Sequence, residues 1–354
     1  MQHWCFDAAG KNLTGSLPPE ISGLQSLVSL SVHENSLYGT LPYELAKLTS
    51  LTSIDLSMNQ FSGPLPPDLG HLTALKEFHV WSNRFHGTIS ADLGHLTSLT
   101  SLDIAKNTFS GHLPSELFGL TSLTRFSIWS NTFSGTLSTE LGNMSELTLL
   151  YLSQNKLSGT LPSELGKLSF LKEIFVSVNQ FTGSIPSEIG YLTELSVLYL
   201  NGNKFTGTFP AEINNLNLND LCLNSNNFTG SLPPEVDTAY ICPEEVTDFF
   251  ATAIAREIED NVLCRGVKFS ELPVTDSRTL ALGSIVLGDP MQLNASSPNL
   301  HQRYILAQLA LGTNDASLLS DVLLINSIAT DECGWSGVTC NGAGKVSKLE
   351  LCKF

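Results

Sequence analysis

Asparagine recurs at Asn35, Asn59, Asn83, Asn107, Asn131, Asn155, Asn179 and Asn203, always 24 residues apart, and Asn226 follows after 23. A register held that long predicts stacked units, none of which can bury its apolar face alone. Within "LTSLTSIDLSMNQFSGPLPPDLG" (Leu48 to Gly70), the alternation at Ile54 and Leu56 predicts one short strand per unit. Strands stacked about 4.8 Å apart build a parallel sheet with leucines and isoleucines pointing inward. Each asparagine falls where the chain leaves its strand, so its amide can bond turn backbone that has no ladder partner. Two residues on, Leu37, Phe61, Phe85, Phe109, Phe133, Leu157, Phe181, Phe205 and Phe228 predict an apolar column inside the coil. With an earlier, degraded unit that has Lys11 in the asparagine slot, the count is about ten coils.

These units resemble the plant-type leucine-rich repeat, as "LSGTLPSELGKLSFLKEIFVSVNQFTGSIPSEIGYLTEL" (Leu157 to Leu195) shows. The resemblance covers residues 12–236. It implies an α/β repeat, a right-handed solenoid with a concave parallel β-sheet, and a short second strand around the "SGxLP" segment. Polygalacturonase-inhibiting proteins and the ectodomains of plant receptor kinases share this pattern.

Outside that array the grammar changes. Residues 1–11 read as a degraded cap remnant lacking its first strand, since "CFDAAGK" (Cys5 to Lys11) resembles "CNGAGK" (Cys340 to Lys345). Residues 237–295 read as a carboxyl cap and linker, with an amphipathic helix over "PEEVTDFFATAIAREIEDNVL" (Pro243 to Leu263). Residues 296–354 look like the family's amino-terminal cap: a helix over "SSPNLHQRYILAQLALGTND" (Ser296 to Asp315), then "DECGWSGVTCNGAGKVSKLEL" (Asp331 to Leu351) leading into a first strand. That order is similar to leucine-rich-repeat proteins of stramenopile algae, and the carboxyl-terminal segment is therefore expected to be mostly helical. The resemblance also implies a Cys333 to Cys340 disulfide, while Cys222, Cys242 and Cys264 could supply one more pair. A cap that follows its repeats leaves two arrangements: a slice of a longer tandem array, or a circular permutant whose terminal cap folds back. The slice is favoured, because a permutant cap must run back along ten coils, roughly 45 Å at strand spacing.

A formal net charge of −16 with no basic stripe argues against nucleic acid as a partner. Cysteine usage favours oxidising, extracellular surroundings, and sequons at Asn12, Asn143, Asn227 and Asn294 point the same way. The opening "MQHWCFDAAG" has no apolar core of a signal peptide. No run of 18 apolar residues marks a membrane segment within this chain. A signal or anchor is left to sequence beyond this stretch.

Enzyme signatures fail. "GWSG" (Gly334 to Gly337) lacks one residue of a nucleophile elbow, and "GAGKVS" (Gly342 to Ser347) has Val346 where Ser or Thr would hold magnesium. His71 and His95 offer two imidazoles without a third ligand, a poor metal site. No catalytic residue, cofactor or metal is expected.

Function then falls to outward strand positions, which alternate with the buried leucines. Four residues before each asparagine, three consecutive strands carry Tyr151, Phe175 and Tyr199; two before it stand Trp81 and Trp129, two strands apart. Such aromatics are expected to face solvent as binding anchors, with Asp55, His79, Asp103 and Arg125 supplying polar contacts. The expectation is a non-catalytic, receptor-like recognition module for a protein, peptide or glycan. A hydrolase inhibitor is the first alternative. Surface or ice adsorption through the Thr40, Thr88, Thr136, Thr160 and Thr208 column is the minor one.

Overall fold

A computed structural model describes residues 4–229, 338–340 and 346–349. They fall into two compact units, one of residues 4–72 with 338–340 and 346–349, the other of residues 73–229. In the first, β1 (Trp4–Asp7), β3 (Leu27–Ser31) and β5 (Ser53–Asp55) pair in parallel, as do the shorter β2 (Thr14–Gly15), β4 (Ser36–Gly39) and β6 (Gln60–Gly63). The second repeats the arrangement. Its first sheet runs through β7 (Glu77–His79), β9 (Ser101–Asp103), β11 (Arg125–Ser127), β13 (Leu149–Tyr151), β15 (Glu173–Phe175), β17 (Val197–Tyr199) and β19 (Asp220–Cys222). Its second sheet runs through β8 (Arg84–Gly87), β10 (Thr108–His112), β12 (Thr132–Thr136), β14 (Lys156–Gly159), β16 (Gln180–Gly183), β18 (Lys204–Gly207) and β20 (Asn227–Phe228).

Both sheets are parallel and built one strand per repeat, a leucine-rich-repeat solenoid-like fold. Three details sharpen the sequence reading. The helical piece of each described coil is a five-residue 3-10 turn, such as Ser163–Lys167, rather than an α-helix. Five residues are too few to repay an α-helical nucleus, and Pro162 sets the entry, its carbonyl accepting the Leu165 amide at 3.0 Å. The second strand lies directly after the asparagine, for instance Lys156–Gly159, and stops short of the proline. Finally, Trp4–Asp7 is itself a strand, with Phe6 opposite Leu30. The helices expected over 237–295 and 296–315, and Cys333, lie outside the described residues.

The asparagine ladder is present in both units. Asn155 accepts from the Phe133 amide at 3.0 Å and donates to the carbonyls of Ile128, Leu152 and Ser153 at 3.0, 3.1 and 3.2 Å. Two of those partners lie in the preceding coil, and the Asn155 amide itself donates to Val178 of the following one at 3.2 Å. The same pattern recurs at Asn59, Asn107, Asn131, Asn179 and Asn203. To aim the amide inward the preceding residue turns left-handed: Met58, Lys106, Gln154 and Val178 all have φ between 48° and 54°. Behind the ladder Phe85, Phe109 and Phe133 stack nearly parallel, centroids 6.1 and 6.2 Å apart, and Phe181 stacks on Phe205 at 6.0 Å. All five are fully buried, as the column predicts.

Asn155→Ala takes the Phe133 amide's partner and one of two donors from each of three carbonyls, which Asn131, Asn179 and the Ser130 amide still serve, and is expected to cost about 2 kcal/mol. Val178, β-branched in a left-handed position, is expected to gain about 1 kcal/mol on Val178→Asn. Urea unfolding midpoints at constant m-value check both.

Candidate functional site

The outward face of the first sheet in residues 73–229 carries most of the expected binding residues. Strand alternation aims Tyr151, Phe175 and Tyr199 away from Leu150, Ile174 and Leu198, and parallel pairing sets the three rings side by side. Direction is as expected; exposure is not. They are 4%, 6% and 6% accessible, and their rings meet edge to face at 4.9 and 4.7 Å. Strand spacing brings each ring against its neighbour, and Leu149 and Val197 fill in beside them. The row is a small second core on the outer side of the sheet.

Trp81 and Trp129 belong to the same cluster. Ala105, fully buried in the coil between them, leaves room for both indoles, and Lys106 places its ammonium 5.0 Å from the Trp129 ring. His79, Asp103 and Arg125 border this end. His79 Nε2 lies 2.8 Å from Ser101 Oγ, Asp103 is fully buried and accepts from the Ala105 amide, and Arg125 is buried beside Ser101. Asp55 lies in the first unit, where its carboxylate meets His33 Nδ1 at 3.3 Å and accepts from the Ser57 amide. His71 and His95 are exposed at the ends of 3-10 turns. Among the described residues no cluster of metal-ligating side chains occurs, and no helix is long and apolar enough to cross a membrane.

A second row lies two residues beyond the aromatic one. The oxygens of Ser153 and Ser177 (Oγ) and of Asn201 and Asn224 (Oδ1) are shut away from solvent and meet no hydrogen-bond partner. Serine and asparagine are common outward residues, so nothing in their type distinguishes this column. What singles it out is burial, set by the aromatics alongside.

Four segments, 50–72, 98–120, 146–168 and 194–216, match the Leucine Rich Repeat model. Those four segments are leucine-rich repeats. Among solved structures the chain is similar to a TDR receptor, at 36% identity over 65% of this chain and 40% of the other, TM-score 0.63. It is similar to the leucine-rich-repeat ectodomain of the Arabidopsis receptor kinase HAESA in complex with an IDA peptide hormone ligand, at 33% identity over 66% and 40%, TM-score 0.61. It is also similar to a plant ice-binding protein, at 25% identity over 62% of this chain and 71% of that one, TM-score 0.56. The chain thus spans about 40% of the length of the two receptors. No curated protein matches its sequence.

Two tests follow from the burial. Phe175→Ala, in mid-row, is expected to cost about 3 kcal/mol or more by denaturant unfolding, where a solvent-facing anchor would cost little. Tyr199, whose phenol is pushed from its ordinary 10.0 to about 12 by burial and then by Asp220 and Glu173, stays neutral to higher pH folded than unfolded. Its contribution to stability is therefore whole below pH 10 and drains away between pH 10 and about 12. Unfolding midpoints of Tyr199→Phe followed through that window are expected to fall less steeply than those of the native protein.

Proposed function

We propose that the outward face of the first sheet binds an extended peptide segment, and that the chain acts as an extracellular, non-catalytic recognition module. The observation carrying this is the run of buried, unpartnered oxygens at Ser153, Ser177, Asn201 and Asn224. An orphaned buried oxygen is costly, and four in one column can meet one shared partner once the side chains alongside turn aside. A peptide crossing the strands offers the matching chemistry, amide N–H groups along a line. Four coils at about 4.8 Å span roughly 14 Å, the reach of four or five extended residues. The aromatic row beside it supplies a stiff apolar wall, and half-buried His79 a polar contact at the other end, where the buried Trp81, Trp129, Asp103 and Arg125 hold the surface in place; Asp55 is a further candidate. The peptide hormone bound by the HAESA ectodomain supports this class of ligand. Exposed sequons at Asn12, Asn143 and Asn227 fit a secreted setting, with Asn294 and a Cys333 to Cys340 disulfide as further expected modifications.

The test uses Ser177→Ala with Asn201→Leu, which removes one orphaned hydroxyl and replaces an orphaned amide by an apolar group of the same branched shape. Stability is expected to hold or rise. Affinity for peptides selected on the native protein from an extended-peptide library is expected to fall 100-fold or more, on the order of 2.7 kcal/mol. Unchanged affinity in the double variant overturns the reading. Loss of activity by a captured secreted hydrolase would move it to an inhibitor.

A second reading rests on the similarity to a plant ice-binding protein. Thr88, Thr136, Thr160 and Thr208 are exposed in one column, interrupted by His112 and Ser184, and Thr40 is exposed at the equivalent place in the first unit. The Thr136 methyl lies 2.7 Å from where a β-carbon on Gly159 would stand, and Gly159 has φ +78°, so the glycine both makes the turn and seats the threonine. Thr136→Tyr with Thr160→Tyr is expected to abolish any inhibition of ice recrystallisation while leaving peptide binding intact; ice activity that survives the pair removes this face from consideration.

A further inference from the structure

The first coil of the solenoid is covered in a way that an end coil ordinarily is not. At a free end the inward side chains lack one neighbouring coil and lose part of their burial. In the last described coil this is so: Leu223, three residues before Asn226, and Phe228, two after it, are only half buried. Their counterparts around Lys11 in the first coil are Ala8 and Leu13, and these are 0% and 3% accessible. Phe6, Leu17 and Ile21 of that coil are equally shut in, at 5%, 4% and 0%.

The edge of β1 raises the same question. It pairs with β3 on one side, and among the described residues no strand of the same parallel sheet flanks its other side. Open parallel edges recruit strands unless something covers them. Two strands from the far part of the sequence belong to this unit: β21 (Val338–Cys340) and β22 (Val346–Leu349). They form an antiparallel hairpin with Val338 opposite Leu349 and Thr339 opposite Lys348, and β22 comes within 8 Å of β1, Cα to Cα.

We propose that the β21–β22 hairpin is the cover of the first coil, laid along the outer edge of β1 by the same chain. Of the two arrangements the sequence leaves open, this is the one in which the terminal cap folds back. Chain length does not stand in its way: the 108 residues from 230 to 337 reach roughly 350 Å when extended. The cover is a hairpin rather than a coil, which suits its position. One strand can meet β1 while the other carries the outer edge, so the covered coil leaves no further apolar face to bury.

Two measurements decide it. In the native full-length chain at monomer mass, an amine-reactive cross-linker is expected to join Lys11 to Lys345 or Lys348; absence of both links overturns the proposal. Hydrogen exchange then compares the native chain with Lys348→Pro, which removes an N–H from the hairpin and fixes its backbone. Amides of residues 4–17 are expected to exchange at least 100-fold faster in the variant, while those of residues 150–200 keep their protection and so report that the rest is folded. Equal protection of residues 4–17 in both chains means that something else covers the coil. Links seen only between two copies, with protection that fades on dilution, would assign the hairpin to a neighbouring molecule and overturn the intramolecular cover.

Discussion

The side-chain amide of the repeated asparagine is the constraint from which the rest follows. A parallel stack built from three-residue strands has short ladders, and the turn that leaves each strand would bury unpaired carbonyls and amides. Asn155 meets four of them at once, two in its own coil and two in the preceding one. That bonding fixes the rise of the stack and the register of its strands. It also fixes which side chains stand in line on the outward face. The left-handed residue before each asparagine is a local cost of aiming the amide, tolerated because several hydrogen bonds depend on it.

Much of this was legible in the residues themselves. The spacing of the asparagines gave the coil, the alternation around Ile54 and Leu56 gave the strand, and the Phe85, Phe109 and Phe133 column lies in the interior as its position implies. Other features left no trace that one sequence can show. Glu34, Met58, Lys106 and Val178 share a left-handed turn but no chemistry, because the position demands a backbone angle and accepts almost any side chain that points to water. Trp4–Asp7 pairs as a strand though only Phe6 keeps the apolar pattern, since a ladder needs backbone and one good core residue.

The binding face shows where pattern reasoning stops. Period-two alternation tells which way Tyr151, Phe175 and Tyr199 point, and that was right. Whether a side chain that points outward is also wet depends on the size of its neighbours one strand away, and three rings at strand spacing bury one another. The same packing makes Ser153 and Ser177 more informative than the aromatics, for a small polar group becomes a signal only once it is shut away without a partner.

The two-sided bonding of each asparagine also has a mechanical meaning. Its side chain holds the coil before and its own amide holds the coil after, as Asn155 does with Phe133 and Val178. Tension applied across such a stack from its ends does not load all these junctions together; it works on the outermost one, which must let go before the next is strained. The array should therefore lengthen as a staircase under a steady pull, one coil of 24 residues per step and roughly 80 Å of slack released each time. A sheet pulled in this way is a spool, and its asparagines are the catches.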